Sequence, residues 1–290
     1  MEAFLHQILS GLAAGGIYAS LALALVMIYQ STHHINFAQG EMAMFSTYLA
    51  WTFIDAGFPY WVAFVATLGF SFVAGVLIER IVIRPVERAP VLSVVVVFIA
   101  LLVIFNSLAG WIYTYTIKSF PSPFSAGLFP QNPYMSPHEM GTIAVTFIVL
   151  VLLYAFFRFT PLGLAMRAAA QNPVSSRLAG IRVGWMLALG WGLAATIGAV
   201  AGMMVAPVVY LDPNMMAGVL LYAFAAALLG GIDNPFGAVL GGFIVGVAEN
   251  LLGAYVIGTE LKLTVALVLI VAVLLFKPSG FFGRVIVTRV

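Results

Sequence analysis

The sequence contains no cysteine and very few charged residues. Without cysteine, the chain has no disulfides, thiolate metal ligands or cysteine nucleophiles. Only 8% of its 290 residues are charged, against roughly 25% in soluble domains, and 63% are hydrophobic. At about 20 residues per helical crossing, the apolar sequence has room for about eight or nine membrane segments and for no sizeable soluble domain. We therefore predict an all-α, polytopic transmembrane helical bundle that forms one domain over residues 1–290.

The chain also lacks the motifs of nucleotide-binding and hydrolytic enzymes. None of its lysines lies in a G-x-x-x-x-G-K-[ST] loop, and neither a serine nucleophile elbow nor an H-E-x-x-H pair is present. The histidines show no metal-ligand spacing, and a net charge of +2 gives no basis for binding nucleic acid. We predict no catalytic residue, no metal site and no cofactor bound by this chain.

The basic residues are distributed unevenly among the connections between the apolar segments. One group lies on one side of the predicted membrane, and only Lys118 and Lys262 lie on the other. The larger group comprises Arg80, Arg84, Arg88, Arg158, Arg167, Arg177, Arg182, Lys277, Arg284 and Arg289. Because cytoplasmic connections are rich in Lys and Arg, this asymmetry predicts that the larger group and the carboxyl terminus are cytoplasmic.

The longest cytoplasmic connection, residues 158–184, contains four arginines and no acidic residue. Pro161 and Pro173 divide it, and the sequence between them, LGLAMRAAAQN, favours a short helix outside the membrane. The run from Ala168 to Ala170 offers a low-relief face, and the connection is far longer than two adjacent spans require. We predict that it docks a soluble partner; the alternative is a set of topology determinants at the lipid headgroups.

A few polar residues interrupt the apolar segments. Glu41 follows INFAQG at the start of the second span, where a carboxylate costs free energy unless it has partners, so it is a functional candidate. The alternative is a helix-start carboxylate with Asn36 as the helix cap. Glu249 and Asn250, late in the chain, raise the same question, whereas Asn106 in the fourth span either makes an interhelical hydrogen bond or lines the pathway.

Glycine marks two further features. Small residues are concentrated near the start of the first span, which favours close helix packing over lipid contact. Around GGIDNPFG, the sequence from residue 220 to residue 250 predicts two tightly packed short helices or one broken, re-entrant helix.

Six segments, taken together and in order, form a recognisable set. They are GGIYASLALALVMIY, INFAQGE, ERIVIRPV, the span that contains Asn106, PLGLAMRAAAQNPVSSRLAGI, and FAAALLGGIDNPFGAVLGGFIVGVAE. This set, which covers nearly the whole chain, resembles the permease subunits of bacterial branched-chain amino-acid ABC importers.

The resemblance implies a permease that carries branched-chain amino acids, or a related small polar solute such as urea, amides or other amino acids, across the bacterial inner membrane. The implied partners are a homologous second permease or a second copy, two cytoplasmic ATPases and a periplasmic solute-binding protein. ATP and Mg would bind to the ATPase subunits, and this chain would perform no catalysis itself.

The resemblance also implies roles for particular residues. In importers of this broad class, an Ala-rich cytoplasmic motif and a later glycine form the coupling helix in the ATPase cleft, and RAAAQN with Gly180 fits that place. The family's usual Glu-Ala-Ala is replaced by Arg-Ala-Ala, and glutamine stands where the family often has histidine in INFA-x-GE. The predicted coupling residues are Arg167, Ala168, Ala169, Gln171, Asn172, Ser175, Arg177 and Gly180. The predicted pathway residues are Asn36, Phe37, Gln39, Gly40, Glu41, Asn106, Glu249 and Asn250.

Two other functions stay open at this point. Glu41 or Glu249 could relay protons in a secondary transporter. Alternatively, the chain could be a structural subunit beside an active permease.

Overall fold

The computed structural model describes residues 2–87, 89–124 and 134–283. These residues form helices joined by short connections, which confirms the predicted all-α class. The helices are α1 Glu2–Thr32, α2 Gln39–Asp55, α3 Tyr60–Ile78, α4 Arg84–Val86, α5 Val91–Tyr113, α6 Pro137–Phe159, α7 Pro161–Gln171, α8 Pro173–Leu178, α9 Val183–Val209, α10 Met216–Gly230, α11 Pro235–Leu252 and α12 Lys262–Phe276. A π-helical turn, Glu79–Ile83, joins α3 to α4. Arg88, Arg284 and Arg289, which were predicted to be cytoplasmic, lie outside the described residues.

Seven of the described helices are long and apolar enough to cross a membrane. They are Glu2–Thr32, Tyr60–Val86, Val91–Tyr113, Pro137–Phe159, Val183–Val209, Pro235–Ile257 and Thr259–Phe276. The helix α10 is apolar but shorter, and α2, predicted as the second span, has 17 residues. The seven described spans and α10 give eight apolar segments, in line with the predicted eight or nine, so the chain is a multi-pass membrane protein; α2 is not among them.

The chain divides into two compact units. The first comprises residues 1–26, 124–144 and 218–290, and the second comprises residues 27–123 and 145–217.

In the first unit, α1 packs against α11 through glycine. A Cβ atom at Gly11 would lie 2.8 Å from the Cα atom of Val247, and one at Gly15 would lie 2.9 Å from the Cα atom of Phe243. Real Cβ atoms do not approach a backbone so closely, so this helix separation requires glycine. The prediction that small residues in the first span serve helix packing is confirmed.

The predicted break at GGIDNPFG is also confirmed in this unit. The helix α10 ends at Gly230, and Asn234 caps α11 by accepting hydrogen bonds of 3.1 Å from the backbone nitrogens of Phe236 and Gly237. Gly231 has a φ of 106°, a conformation that favours glycine. A side chain at Gly230 would overlap the backbone of Gly237. The segment therefore forms a tight turn between two packed helices.

In the second unit, α9 is the central helix, and α2 and α3 pack against it. A Cβ atom at Gly75 of α3 would lie 2.6 Å from the carbonyl oxygen of Trp191, and one at Gly202 of α9 would lie 2.8 Å from that of Ala43. Trp191 is fully buried and stacks on Phe98 of α5, with ring centres 6.0 Å apart. Small residues again allow the backbones to approach closely.

The two ends of the second unit differ in charge. At one end, the Arg80 guanidinium lies 3.8 Å from the centre of the Trp185 ring. At the other end, Lys118 and Leu211 exchange backbone hydrogen bonds of 2.9 and 3.0 Å. The 27 residues of α9, about 40 Å of helix, separate these two ends. The structure therefore places Arg80 and Lys118 far apart, as the charge asymmetry requires.

Candidate functional site

The INFAQGE segment forms a buried turn that leads into α2 in the second unit. The Asn36 side-chain oxygen accepts a hydrogen bond of 3.0 Å from the nitrogen of Ala38, and its amide donates one of 3.3 Å to Gln39. The Gln39 amide donates to the carbonyl oxygen of Ala194 on α9 at 3.0 Å. Asn36 is not the helix cap: the N-cap residue of α2 is Ala38, and no side chain caps it. The two amides instead anchor the start of α2 to α9.

A polar cluster forms where α2, α5 and the turn after α9 meet. Glu41 is only 6% exposed, and the Asn106 amide nitrogen lies 3.5 Å from its carboxylate. The same nitrogen donates to the carbonyl oxygen of Pro213 at 2.9 Å and to the side-chain oxygen of Asn214 at 3.1 Å. The Asp212 carboxylate accepts a hydrogen bond of 2.7 Å from the Asn214 backbone and interacts electrostatically with Glu41. The pairing of Glu41 with Asn106 joins two predicted pathway residues.

Tyr48 lies seven residues beyond Glu41, about two helical turns along α2. It is fully buried, and its ring stacks on Tyr113 with ring centres 4.5 Å apart. Its hydroxyl has no hydrogen-bond partner in the described part of the chain, and Asp212 interacts electrostatically with it. Sequence reasoning did not identify Tyr48 or Asp212 as members of this cluster. The only sequence signal of Tyr48 was its polar hydroxyl inside an apolar helix, and that of Asp212 was its place in a proline-containing turn.

A second cluster lies in the first unit. Tyr18 of α1 donates a hydrogen bond of 2.7 Å to the carboxylate of Glu249 on α11, and Tyr222 of α10 also bonds to that carboxylate. The two tyrosine rings stack with centres 4.8 Å apart. The neighbouring Asn250 accepts a hydrogen bond of 2.8 Å from the ammonium of Lys262. This buried carboxylate therefore has donors from two other helices.

The predicted pathway residues are thus distributed between the two units. Asn36, Phe37, Gln39, Gly40, Glu41 and Asn106 lie in the second unit, and Glu249 and Asn250 lie in the first. Phe37 is half-buried in the turn before α2, and Gly40 is buried in the first turn of α2. A role for these residues in a solute pathway stays a prediction.

The connection predicted to dock a partner forms two short helices, α7 and α8, which we call the hairpin. Thr160 caps α7 by accepting a hydrogen bond of 3.0 Å from the nitrogen of Gly163, and Asn172 caps α8 by accepting one of 3.0 Å from the nitrogen of Ser175. Pro161 and Pro173 each open a helix, where proline is well tolerated. The predicted short helix outside the spans is confirmed, with Pro161–Gln171 as its bounds.

The hairpin has one buried face and one exposed face. Ala169 is fully buried and packs with Val183 and Leu187 of the second unit, so it does not belong to the free face. The free face is partly apolar: Val174 is 67% and Leu178 is 86% exposed. Among the predicted coupling residues, the exposed ones are Gln171, Asn172, Ser175, Arg177 and Gly180, and Arg167 and Ala168 are half-buried.

Comparison with known proteins agrees with this architecture. The family described as "Branched-chain amino acid transport system / permease component" matches residues 7–274. The chain belongs to this family. The permease is 31% identical to the high-affinity branched-chain amino acid transport system permease protein LivH of Escherichia coli (strain K12), over 99% of this chain and 98% of that protein. It is likewise 31% identical to the corresponding permease protein BraD of Pseudomonas aeruginosa, over 99% of this chain and 98% of that protein.

Among solved structures, PsaBC from Streptococcus pneumoniae in complex with Fab is similar to 96% of this permease and 91% of that chain, at 13% identity and a TM-score of 0.47. The family assignment makes the permease a transport subunit that works within an ABC transporter containing other subunits.

Proposed function

We propose that this permease carries branched-chain amino acids across the bacterial inner membrane in an importer driven by two separate cytoplasmic ATPases. The full-length similarity to two proteins named as high-affinity branched-chain amino acid permeases supports the solute class. ATP and Mg bind to the ATPase subunits, and the permease contributes no catalytic residue. A periplasmic binding protein delivers the solute, and a homologous second permease or a second copy completes the membrane part.

The exposed face of the hairpin is the observation that carries this proposal. Arg177, Val174 and Leu178 present a charge and two aliphatic side chains on α8, the second short helix of the hairpin. Exposed aliphatic side chains beside polar residues are typical of protein interaction surfaces. We assign the ATPase contact to this face, with Gln171, Asn172, Ser175 and Gly180 around it.

The buried face of the hairpin explains how ATPase movement reaches the membrane helices. Ala169 packs against Val183 and Leu187 near the start of α9, and α9 is the helix on which α2 and α3 pack. A force on the hairpin therefore acts directly on the central helix of the second unit. Coupling further requires that the hairpin binds the ATP-closed and open ATPases with different affinity.

The sidedness follows from the same arrangement. With the hairpin at the ATPases, Arg80 lies at the cytoplasmic end of the second unit and Lys118 lies at the periplasmic end. The charge asymmetry then places the carboxyl terminus in the cytoplasm.

Co-purification and reconstitution test this function together. The tagged permease, isolated in mild detergent, should retain ATPase subunits. Proteoliposomes containing the complex should accumulate radiolabelled leucine only when ATP is present in the compartment that the ATPases face. Uptake by the permease alone under a proton gradient without ATP would show a secondary transporter instead. Retention of ATPases without any solute uptake would indicate a structural subunit.

A further inference from the structure

Glu41 is a buried carboxylate that has no adequate hydrogen-bond donor among the described residues. Its polar contact in the described structure is the Asn106 amide nitrogen at 3.5 Å. That amide has two hydrogens, and the shorter contacts of 2.9 and 3.1 Å to Pro213 and Asn214 use both. A buried carboxylate that is ionised needs a cation or good donors. In its ionised form, Glu41 therefore needs a partner that the described residues do not supply.

Asp212 adds a second negative charge to the same cluster. Within the described ranges, Arg80 forms an ion pair with Glu79 at 3.7 Å, and no lysine or arginine side chain forms one with Glu41 or Asp212. Two carboxylates of like sign disfavour each other unless a cation lies between them. The cluster thus has an excess of negative charge.

Tyr48 supplies an independent indication of a ligand. Its side chain is fully buried, yet its hydroxyl oxygen has no partner among the described residues. Glu41 and Tyr48 are seven residues apart and therefore lie on the same face of α2, and Asp212 is close enough to interact electrostatically with the hydroxyl. Asn214 is exposed and Asn106 is half-buried, so the cluster is open on their side. A ligand of this cluster would enter from that side.

We propose that Glu41, Asp212 and Tyr48 bind the protonated amino group of the transported solute. A primary ammonium has one positive charge and three N–H donors, which match two carboxylates and one hydroxyl oxygen. The backbone of Asn214 orients the Asp212 carboxylate through their hydrogen bond of 2.7 Å. This assignment rests on the proposed function, because it requires the solute to be an amino acid, and it gives the site a chemical class of ligand.

Uptake of radiolabelled leucine by proteoliposomes containing the complete transporter tests the assignment. Glu41→Gln removes the charge but keeps the shape, and we expect a loss of uptake of about tenfold or more, with the ATPases retained. Tyr48→Phe removes a single acceptor, and we expect a loss of about three- to tenfold. Tyr60→Phe is the matched control, because the Tyr60 hydroxyl is also buried without a partner but neither carboxylate acts on it. We expect its uptake to equal that of the unmodified protein.

The outcomes separate this inference from the proposed function. If the unmodified transporter takes up no leucine, the proposed function fails and the inference fails with it. If the unmodified transporter works and both Glu41→Gln and Tyr48→Phe match Tyr60→Phe, the inference alone is overturned. ATP-driven uptake that stops when a proton gradient is abolished would also overturn it, because the carboxylate would then bind a proton rather than the solute.

Thermal unfolding identifies the ligand class. It also tests the inference when a variant takes up no leucine because its complex does not assemble. The probe is 3-methylbutylamine, which has the amino group and side chain of leucine but no carboxylate. At saturating concentration we expect it to raise the unfolding midpoint of the unmodified complex by about 2 °C or more. The rise in the midpoint of the Tyr48→Phe complex should be smaller. The acid 4-methylpentanoate, which lacks the amino group, should have no effect. Equal shifts with amine and acid, or none with the amine, would contradict ammonium binding.

Discussion

Replacement of Leu178 by serine tests the hairpin as the ATPase contact. Leu178 is 86% exposed at the end of α8, so it contributes little to the stability of the permease itself. The change in the free energy of unfolding should stay within about 0.5 kcal/mol. If the side chain is buried against an ATPase in the complex, its burial contributes about 1.5–3 kcal/mol to binding. Because 1.4 kcal/mol corresponds to about tenfold in affinity, the dissociation constant should rise about 10- to 100-fold.

The assay is a titration of the purified permease with the ATPase subunits in mild detergent, followed by measurement of the fraction of ATPase that stays bound to the permease. Ile117→Ser is the matched control, because Ile117 is 71% exposed but lies beside Lys118, at the opposite end of the second unit. It should leave the dissociation constant unchanged.

A second comparison uses the buried face of the same hairpin. Ala169→Leu adds volume where Ala169 packs against Val183 and Leu187, so it should lower the stability of the permease by about 1–3 kcal/mol through overpacking. The expected result is less folded permease, rather than a weaker contact per folded molecule. The assignment of the contact to this face would be refuted if Leu178→Ser left the dissociation constant unchanged and Ile117→Ser raised it.

Three further predictions concern the fold. Gly246→Val should prevent α1 from packing against α11, because a side chain there overlaps the backbone of Gly15. The yield of folded protein in detergent should therefore collapse. Gly69→Val is the control and should fold normally, because the space around Gly69 is open. Tyr18→Phe removes a 2.7 Å donor from a buried carboxylate and should lower the free energy of unfolding by about 1–3 kcal/mol in a denaturant titration. Asn234→Ala removes the cap of α11 and should cost about 0.5–2 kcal/mol in the same titration, whereas Asn234→Asp, which keeps a capping oxygen, should cost less.

Much of the fold can be predicted from the sequence because membrane spans are local features. The apolar runs at residues 60–78 and 91–113 form α3 and α5, since a run of apolar residues in lipid must satisfy its own backbone hydrogen bonds as a helix. The hairpin was also predictable, because Pro161 and Pro173 mark helix starts and the arginines exclude the stretch from the membrane interior.

The composition of the polar clusters was predictable only in part. Glu41, Asn106 and Glu249 stand out in the sequence because polar side chains are rare in apolar helices. Their partners do not, because Tyr18 and Tyr222 resemble ordinary aromatic residues of a membrane helix. The contact between Tyr18 and Glu249 joins residues 231 positions apart, and no local pattern predicts such a pair.

The sequence by itself determined that the chain is a multi-pass helical membrane protein, roughly where most of its spans lie, and that residues 158–184 contain a short helix between two spans. These properties depend on hydropathy, charge and proline within short windows of sequence. The tertiary structure alone decided that Ala169 turns inward and Leu178 outward, and that Asp212 of the turn after α9 lies near Glu41 and Tyr48 of α2. Those relations depend on how the helices pack against one another, because a helix of suitable composition can turn any of its faces towards a neighbour until close packing selects one.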